Sequence, residues 1–245
     1  MGIDHVHLVG HEAARLAAVA DQGPLDATVA GCPGWDLSRL VGHVGRVHRW
    51  AAACIKAGRE ADGSTLERPP RDETVVPWFE AGIQPLLDTL ATAPAPGVWN
   101  FLDAPDPDGL FWPRRMAVET SIHRWDAEYA IWGAGETSPV DAPLAAEGVE
   151  ESLRYLAPRA LAGRDDIDVG GSVHVHSTDA EGEWTIHTEG GAYRVEPEHG
   201  KGSVAVRGPA SSLLLVLYRR MAPGEGNTEV FGDAAVLDRW LALGA

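Results

Sequence analysis

Residues 111–132, FWPRRMAVETSIHRWDAEYAIW, are the most informative stretch for the fold of the first half of the chain, and they predict one long helix. Within this helix Glu119 and His123 are four residues apart, so their side chains stack one turn apart on one face. Met116 and Ala127 share that face. A glutamate buried among apolar side chains is costly unless it is paired or bound to a metal. The segment therefore predicts a polar site inside a helical core.

A second predicted helix begins at an N-cap, Asp36, and runs to about Ala57. On a helical wheel His43 lies at the margin of the apolar face formed by residues such as Leu40 and Val44, so it points inward. His43 can therefore join the pair on the later helix. Two histidines and one glutamate suit zinc and leave an open coordination position. A buried His–Glu hydrogen bond without a metal remains the alternative reading of the same pattern.

Two further helices complete the first half. Asp4–Asp21 has an apolar face, and Glu73–Ala91 contains Pro85, which should kink or split that helix. A loop rich in Pro, Asp and Gly is expected over Pro94–Gly109. Four helices joined in this way predict an antiparallel four-helix bundle.

The pattern changes after a turn-rich stretch, Gly133–Pro143, which marks the expected domain boundary. We expect a helical domain over residues 1–138 and a small α+β domain over residues 139–245. The predicted elements of the second domain are a helix at Leu144–Ala160, strands at Ser172–Ser177, Glu183–Thr188 and Gly202–Val206, and helices at Pro209–Arg220 and Ala234–Leu243.

Composition excludes several classes of function. The formal net charge of −16 leaves no basic face for nucleic acid and disfavours anionic membranes. The apolar runs are too short to span a bilayer, and the N-terminus does not resemble a signal peptide. No nucleotide-binding glycine motif and no serine nucleophile elbow is visible. We expect a cytoplasmic protein.

Other histidines compete for a functional role. His7 and His11 are four residues apart, but they lie opposite the apolar face of their helix and should face solvent. His174, His176 and His187 alternate along two neighbouring strands, and we expect them on an exposed sheet face.

The two cysteines are interpreted as structural. Cys54 is eleven residues beyond His43, roughly 16 Å along a helix axis, and cannot ligate the same ion. Cys32 precedes the second helix and has no adjacent base in the sequence. Two such residues do not form a disulfide framework.

Several motifs together resemble the mycothiol-dependent maleylpyruvate isomerase family. The N-terminal motifs also place the chain near the wider group of DinB-like, metal-binding bundles, and the C-terminal motifs resemble a sterol-carrier fold. The residues that carry the resemblance are Cys32–Asp36, Leu40–Val44, His48–Trp50, Arg114–Ala117, Glu119–Thr120, His123–Asp126, Val173–His176, Gly182–Trp184, Val206–Ala210 and Leu213–Leu215.

The resemblance implies a site and its cofactors. The family's zinc ligands fall on His43, Glu119 and His123, and its catalytic arginine is matched best by Arg220, which suits a substrate carboxylate. The second cofactor is mycothiol, a thiol whose sulfur the metal would hold as thiolate. Two solvated arginines at a helix end remain the alternative for Arg220 and its neighbour Arg219.

The reaction stays open at this point. The thiolate can add to a cis double bond conjugated to a carbonyl, which allows rotation before elimination, or it can attack an electrophile in an S-transfer. Metal-activated water is the competing hydrolytic chemistry, and a non-enzymatic, metal-stabilised binding module is the competing class of protein. Asp126 is a candidate partner for His123, although it can equally pair with Arg115 or Arg124.

Two departures from the family pattern bear on the substrate. Val118 stands where many members have a histidine, and Tyr218–Arg219 replaces a Trp-Gly pair before the arginine. Val118 lies about 100° from Glu119 on the wheel, so metal binding need not change.

Overall fold

The computed structural model describes residues 2–92, 96–197 and 202–244. The chain divides into two compact units, Met1–Val140 and Asp141–Ala245. The sequence placed the boundary at residue 138. Residues 93–95, which include the start of the predicted loop at Pro94, lie outside the described residues. No helix in the described part of the chain is long and apolar enough to cross a bilayer.

The first unit is helical. Its two longest helices follow the predicted limits, and the predicted third helix is divided in two, as Pro85 led us to expect. The helices are α1 His5–Gln22, α2 Leu37–Ala57, α3 Val75–Glu80, α4 Ile83–Thr92 and α5 Phe111–Trp132.

Packing in this unit places α2 and α5 side by side. Helix α5 contacts α1 and α2, and α2 also contacts α3 and α4. Gly45 allows the close approach of α2 to α3, because a Cβ at this position would lie 2.6 Å from the Trp78 ring. The apolar core between the helices includes Leu16, Leu40 and Phe79, all fully buried.

A buried ionic network fixes α1 against α5. Arg124 is fully buried and donates from Nε to Glu12 Oε2 at 2.6 Å and from Nη1 to Glu128 Oε2 at 2.9 Å. Arg15 donates to the other oxygen of Glu128, Oε1, at 2.5 Å. Each charge therefore has an opposite partner, which offsets its desolvation.

The second unit is a five-stranded mixed sheet with helices. The strand order is β3-β2-β1-β4-β5, in which β1 and β4 are parallel and the other neighbours are antiparallel. Its elements are α6 Ala142–Glu151, a π-helical turn Ser152–Leu156, α7 Ala157–Leu161, β1 Ser172–Ser177, β2 Glu183–His187, β3 Arg194–Glu196, β4 Val204–Gly208, α8 Ala210–Leu217, β5 Glu229–Gly232 and α9 Ala234–Ala242.

One face of this sheet is apolar and is covered by α8 and α9. Val175 and Val206 pack there against Val216 of α8 and against Leu237 and Trp240 of α9. Side chains alternate along a strand, so the opposite face carries the histidines of β1 and β2.

The structure corrects three expectations for this unit. Strands β3 and β5 were not predicted, because both are short edge strands with mostly exposed side chains. The helix expected to reach Arg220 ends at Leu217, because Arg219 adopts a left-handed φ of 59°. The strand expected from Gly202 begins at Val204.

Candidate metal centre

Helix α2 carries His43 at the edge of its buried face. Asp36 caps the helix by accepting a hydrogen bond from the Arg39 backbone N–H at 2.7 Å, as the sequence predicted. Leu40 and Val44 are fully buried, so His43 lies at the edge of the buried stripe and its side chain is 35% exposed. One side of His43 therefore reaches solvent while its ring points inward.

The three predicted ligands come together. His43 Nε2 lies 3.1 Å from Glu119 Oε1, and His123 Nε2 lies 3.3 Å from the same oxygen. One donor atom from each residue lies within 4.8 Å of the other two. Two imidazole nitrogens and a carboxylate oxygen are the donor types that zinc and other first-row divalent ions take.

Glu119 is held in its ionised form. Burial alone would raise its pKa, but the Arg115 guanidinium and His123 together hold the pKa of this carboxyl well below its usual range. Arg115 Nη2 donates to Glu119 Oε2, the oxygen that the two histidines do not share. Oxygen Oε1 is thus available to a ligand as a carboxylate.

His123 is oriented by Asp126. The Nδ1 atom of His123 lies 2.9 Å from Asp126 Oδ2, and Asp126 is fully buried. Burial alone would lower the pKa of His123, but Glu119, Asp126 and Cys32 raise the pKa well above its usual value. Of the partners that the sequence left open for Asp126, His123 is joined to it by a hydrogen bond, whereas Arg124 is bound to Glu12 and Glu128.

Cys32 lies closer to this site than the sequence suggested. Its Sγ donates to Asp126 Oδ2 at 3.7 Å, and Cys32, His123 and Asp126 form a second group whose donor atoms lie within 4.8 Å of one another. All three of these side chains are buried, and Asp126 already accepts hydrogen bonds from the other two. The group with His43 is the only one of the two that has a solvent-facing side. Cys54 is buried, and burial raises the pKa of its thiol.

An aromatic side chain that sequence reasoning missed forms one wall of the site. The Trp35 ring lies 4.9 Å from the His43 ring and 6.4 Å from the His123 ring, measured between centroids. The Arg39 guanidinium lies 4.8 Å from the centroid of Trp35. Trp35 is eight residues before His43, about two helical turns, so its contact with the ring depends on the turn that precedes α2 and left no local signal in the sequence.

His48 is buried behind the site and hydrogen-bonded to its neighbour. Its Nε2 lies 2.8 Å from Thr120 Oγ1, and Thr120 itself donates to the Met116 carbonyl. Burial lowers the pKa of His48 to about 3. The ring is therefore neutral.

The remaining candidates lie elsewhere. His7 and His11 are exposed on α1, as predicted. The expectation of an exposed face for the sheet histidines is wrong for His174, which is buried, while His176 and His187 are half-buried. The sheet register places His174 in a central strand, where neighbours on both sides reduce its exposure.

Arg220 belongs to the second unit, just after α8. Its Nη1 donates to the Tyr218 carbonyl at 2.8 Å, and the neighbouring Arg219 donates to the Leu241 carbonyl at the end of α9. The catalytic role of Arg220 stays a prediction. Val118 is fully buried, so its side chain packs in the core.

The two halves of the chain match two family models. Residues 6–128 match the mycothiol maleylpyruvate isomerase N-terminal domain, and residues 143–239 match the C-terminal domain of the same family. The chain belongs to the mycothiol maleylpyruvate isomerase family. The two matched regions also follow the observed division into a helical unit and a mixed-sheet unit.

Solved structures show the same fold. The chain is similar to a crystal structure of the mycothiol-dependent maleylpyruvate isomerase, with a TM-score of 0.57 and 13% identity over 93% of this chain and 91% of that one. A histidine-to-alanine variant of that isomerase gives a TM-score of 0.50 and 13% identity over 86% of each chain. No curated protein matches the sequence.

Proposed function

We propose that this protein is a metal- and mycothiol-dependent enzyme that acts on an electrophilic small molecule. The observation that carries the proposal is the convergence of His43, Glu119 and His123 from two helices onto one half-open site. Membership of the mycothiol maleylpyruvate isomerase family supports the thiol cofactor and favours isomerisation, with S-transfer as the second reaction of the same class.

The donor set fits a divalent metal, most simply zinc. His43, Glu119 and His123 would hold the ion, and the solvent-facing side of His43 leaves room for an exogenous ligand. A bound divalent ion lowers the pKa of a coordinating thiol, which makes the sulfur a nucleophile near neutral pH. The described residues at this site do not include a serine–histidine pair that would act as a nucleophile instead.

The surrounding side chains keep Glu119 ionised and fix the orientation of His123. Arg115 keeps Glu119 ionised, and Asp126 accepts the Nδ1 proton of His123 so that Nε2 faces Glu119 Oε1. Trp35 covers one side of the two imidazoles and limits access of water from that side. We further propose that Arg220 binds a carboxylate of the substrate through its guanidinium.

The test is turnover with and without the thiol. The purified protein is incubated with mycothiol and a panel of cis-enones and other electrophiles, before and after metal removal by a chelator. We expect turnover only when thiol and metal are both present, a loss of at least about 100-fold in His43→Ala, and little change in the exposed control His7→Ala. Hydrolysis that proceeds without thiol would overturn the thiol mechanism. Thiol binding without turnover of any electrophile would favour the non-enzymatic binding module.

A further inference from the structure

A second cluster of metal-binding side chains lies in the C-terminal unit, on the β1–β2 hairpin. His174 and His176 alternate along β1 and therefore point to the same face of the sheet. Glu183 of β2 stands directly opposite His176 in the antiparallel register. The hairpin thus presents two imidazoles and one carboxylate at the end of the sheet where its turn lies.

The donor atoms in this cluster lie close enough together to bind a single ion. Glu183 Oε1 lies 3.1 Å from His174 Nε2 and 2.7 Å from His176 Nδ1, and one donor atom from each residue lies within 4.8 Å of the others. Ligands held at about 2.0–2.1 Å from a tetrahedral zinc ion lie about 3.4 Å from one another. Only small side-chain movements are needed for all three donors to reach one ion.

The cluster repeats the donor set of the helical unit on a different scaffold. In both places one glutamate oxygen lies between two imidazole nitrogens, at 3.1 and 3.3 Å in the helices and at 3.1 and 2.7 Å in the hairpin. The hairpin donors are also partly open, because the side chains of His176 and Glu183 are 36% and 26% exposed. An ion has a route to the site past these two residues.

We propose that His174, His176 and Glu183 form a second divalent-metal site, distinct from the His43–Glu119–His123 centre. Its donor set selects borderline first-row ions such as zinc, cobalt, nickel and copper over magnesium or calcium, which prefer oxygen ligands. An ion there would join β1 to β2 near the turn of the hairpin. The proposal does not depend on the thiol chemistry of the helical unit.

Neighbouring charges on this face are engaged with one another. Arg207 of β4, which pairs in register with His176, lies 3.6 Å from Glu229. His187, at the other end of β2, has its Nε2 atom 3.5 Å from Glu196 Oε2. His187 therefore offers a matched control, because it has the same chemistry on the same face and a carboxylate partner, yet it lies outside the cluster.

The experiment counts ions in a factorial set of full-length variants. Wild type, His43→Ala, His176→Ala and the double variant are each dialysed against excess Zn²⁺ and then against metal-free buffer, and bound zinc is measured by mass spectrometry. We expect two ions per chain in wild type, one in each single variant and none in the double variant. Glu183→Gln should lose the same ion as His176→Ala, and His187→Ala should keep both.

A spectroscopic measurement separates coordination from surface adsorption. Co²⁺ added to His43→Ala should give a visible ligand-field absorption that saturates at one equivalent and disappears in the His43→Ala/His176→Ala variant. Equal zinc content in His176→Ala and wild type would overturn the proposal, as would an equal loss in His187→Ala. Failure of the helical centre gives a different result, since His43→Ala would then leave the zinc content unchanged while His176→Ala still lowers it.

Discussion

Asp126 Oδ2 lies 2.9 Å from Nδ1 of His123, and this hydrogen bond fixes the orientation of the ring at the candidate metal centre. The same ring presents Nε2 to Glu119 Oε1, 3.3 Å away. Partners of this kind orient metal-binding histidines and raise their basicity. Asp126 reaches the ring because residues three apart share a helix face.

Replacing Asp126 with Asn should weaken the helical metal centre without removing a ligand. We expect zinc affinity to fall by about 10–100-fold, because the ring loses its carboxylate partner. Competition with a chromophoric chelator in the His176→Ala background measures this centre alone. The control is Asp88→Asn, an exposed change on α4 that should leave affinity unchanged. An unaltered affinity in Asp126→Asn would remove its positioning role.

Removing a ligand should abolish binding at the same centre. His123→Ala is expected to lower the zinc content by one ion per chain, because only two donors remain, too few for a stable site. Bound zinc is measured after dialysis, with the exposed His7→Ala as control. Undiminished stoichiometry in His123→Ala would show that the ion does not bind there.

Much of the helical unit could be predicted from sequence because its signals are local. The cap at Asp36, the positive φ at Gly58 and the proline at position 85 each act within one turn, so helix limits follow from them. The pairing of Glu119 with His123 follows from helical spacing in the same way. To predict that these two residues meet His43, it was only necessary to identify which face of α2 points inward.

Other features depend on contacts between distant residues and left no local signal. Trp35 lies beside His123 only because the turn before α2 meets α5 in the fold. Cys32 approaches Asp126 for the same reason, although the two are 94 positions apart. The short edge strand β5 is defined by its pairing with β4 and has no clear alternation of its own. Such neighbours are set by tertiary packing, which a single sequence does not display.

The buried network around Arg124 should be important for stability. Glu128→Gln removes the negative charge that faces both Arg124 and Arg15. We expect the free energy of unfolding to fall by about 3 kcal/mol, because the buried Arg124 cation then lacks one of its anionic partners. Thermal unfolding measures the effect as a lower Tm. The comparison variant is Arg71→Ala, whose side chain is 57% exposed and lies 3.6 Å from Asp36, and it should cost no more than about 1 kcal/mol. Equal effects of the two changes would contradict this account.

His48 should make the metal-free protein sensitive to acid. Its folded pKa of about 3 lies below the ordinary histidine pKa of 6.5 that applies in the unfolded chain. The unfolded chain therefore binds a proton that the folded protein does not, so stability is complete above pH 6.5 and is lost as the pH falls toward 3. For this one proton, the free energy of unfolding changes with pH by at most about 1.4 kcal/mol per pH unit.

A variant without a titrating ring isolates this contribution. In His48→Gln the amide can still donate to Thr120. Between neutral pH and pH 4 the free energy of unfolding should fall less steeply than in wild type, by an amount that corresponds to up to one proton fewer taken up on unfolding. Chemical denaturation at several pH values, in the presence of a chelator, provides the comparison. His7→Gln should follow the wild-type curve, and a His48→Gln curve parallel to wild type would refute the buried neutral ring.

Metal binding at the helical centre should release a proton from His123 and none from Glu119. In the metal-free protein the pKa of His123 is well above its usual value and that of Glu119 is well below, so the ring carries a proton at neutral pH and the carboxylate does not. An ion that takes Nε2 must displace the ring proton, so zinc affinity should fall about tenfold for each unit by which the pH is lowered.

Calorimetric titration of His176→Ala with Zn²⁺ in two buffers of different ionisation enthalpy counts the protons released. Asp126→Asn should release a smaller fraction of a proton at the same pH, because the carboxylate that favours the protonated ring is gone. A binding enthalpy that does not depend on the buffer would show that the ring is already neutral, and the charge arrangement argued for this site would be wrong.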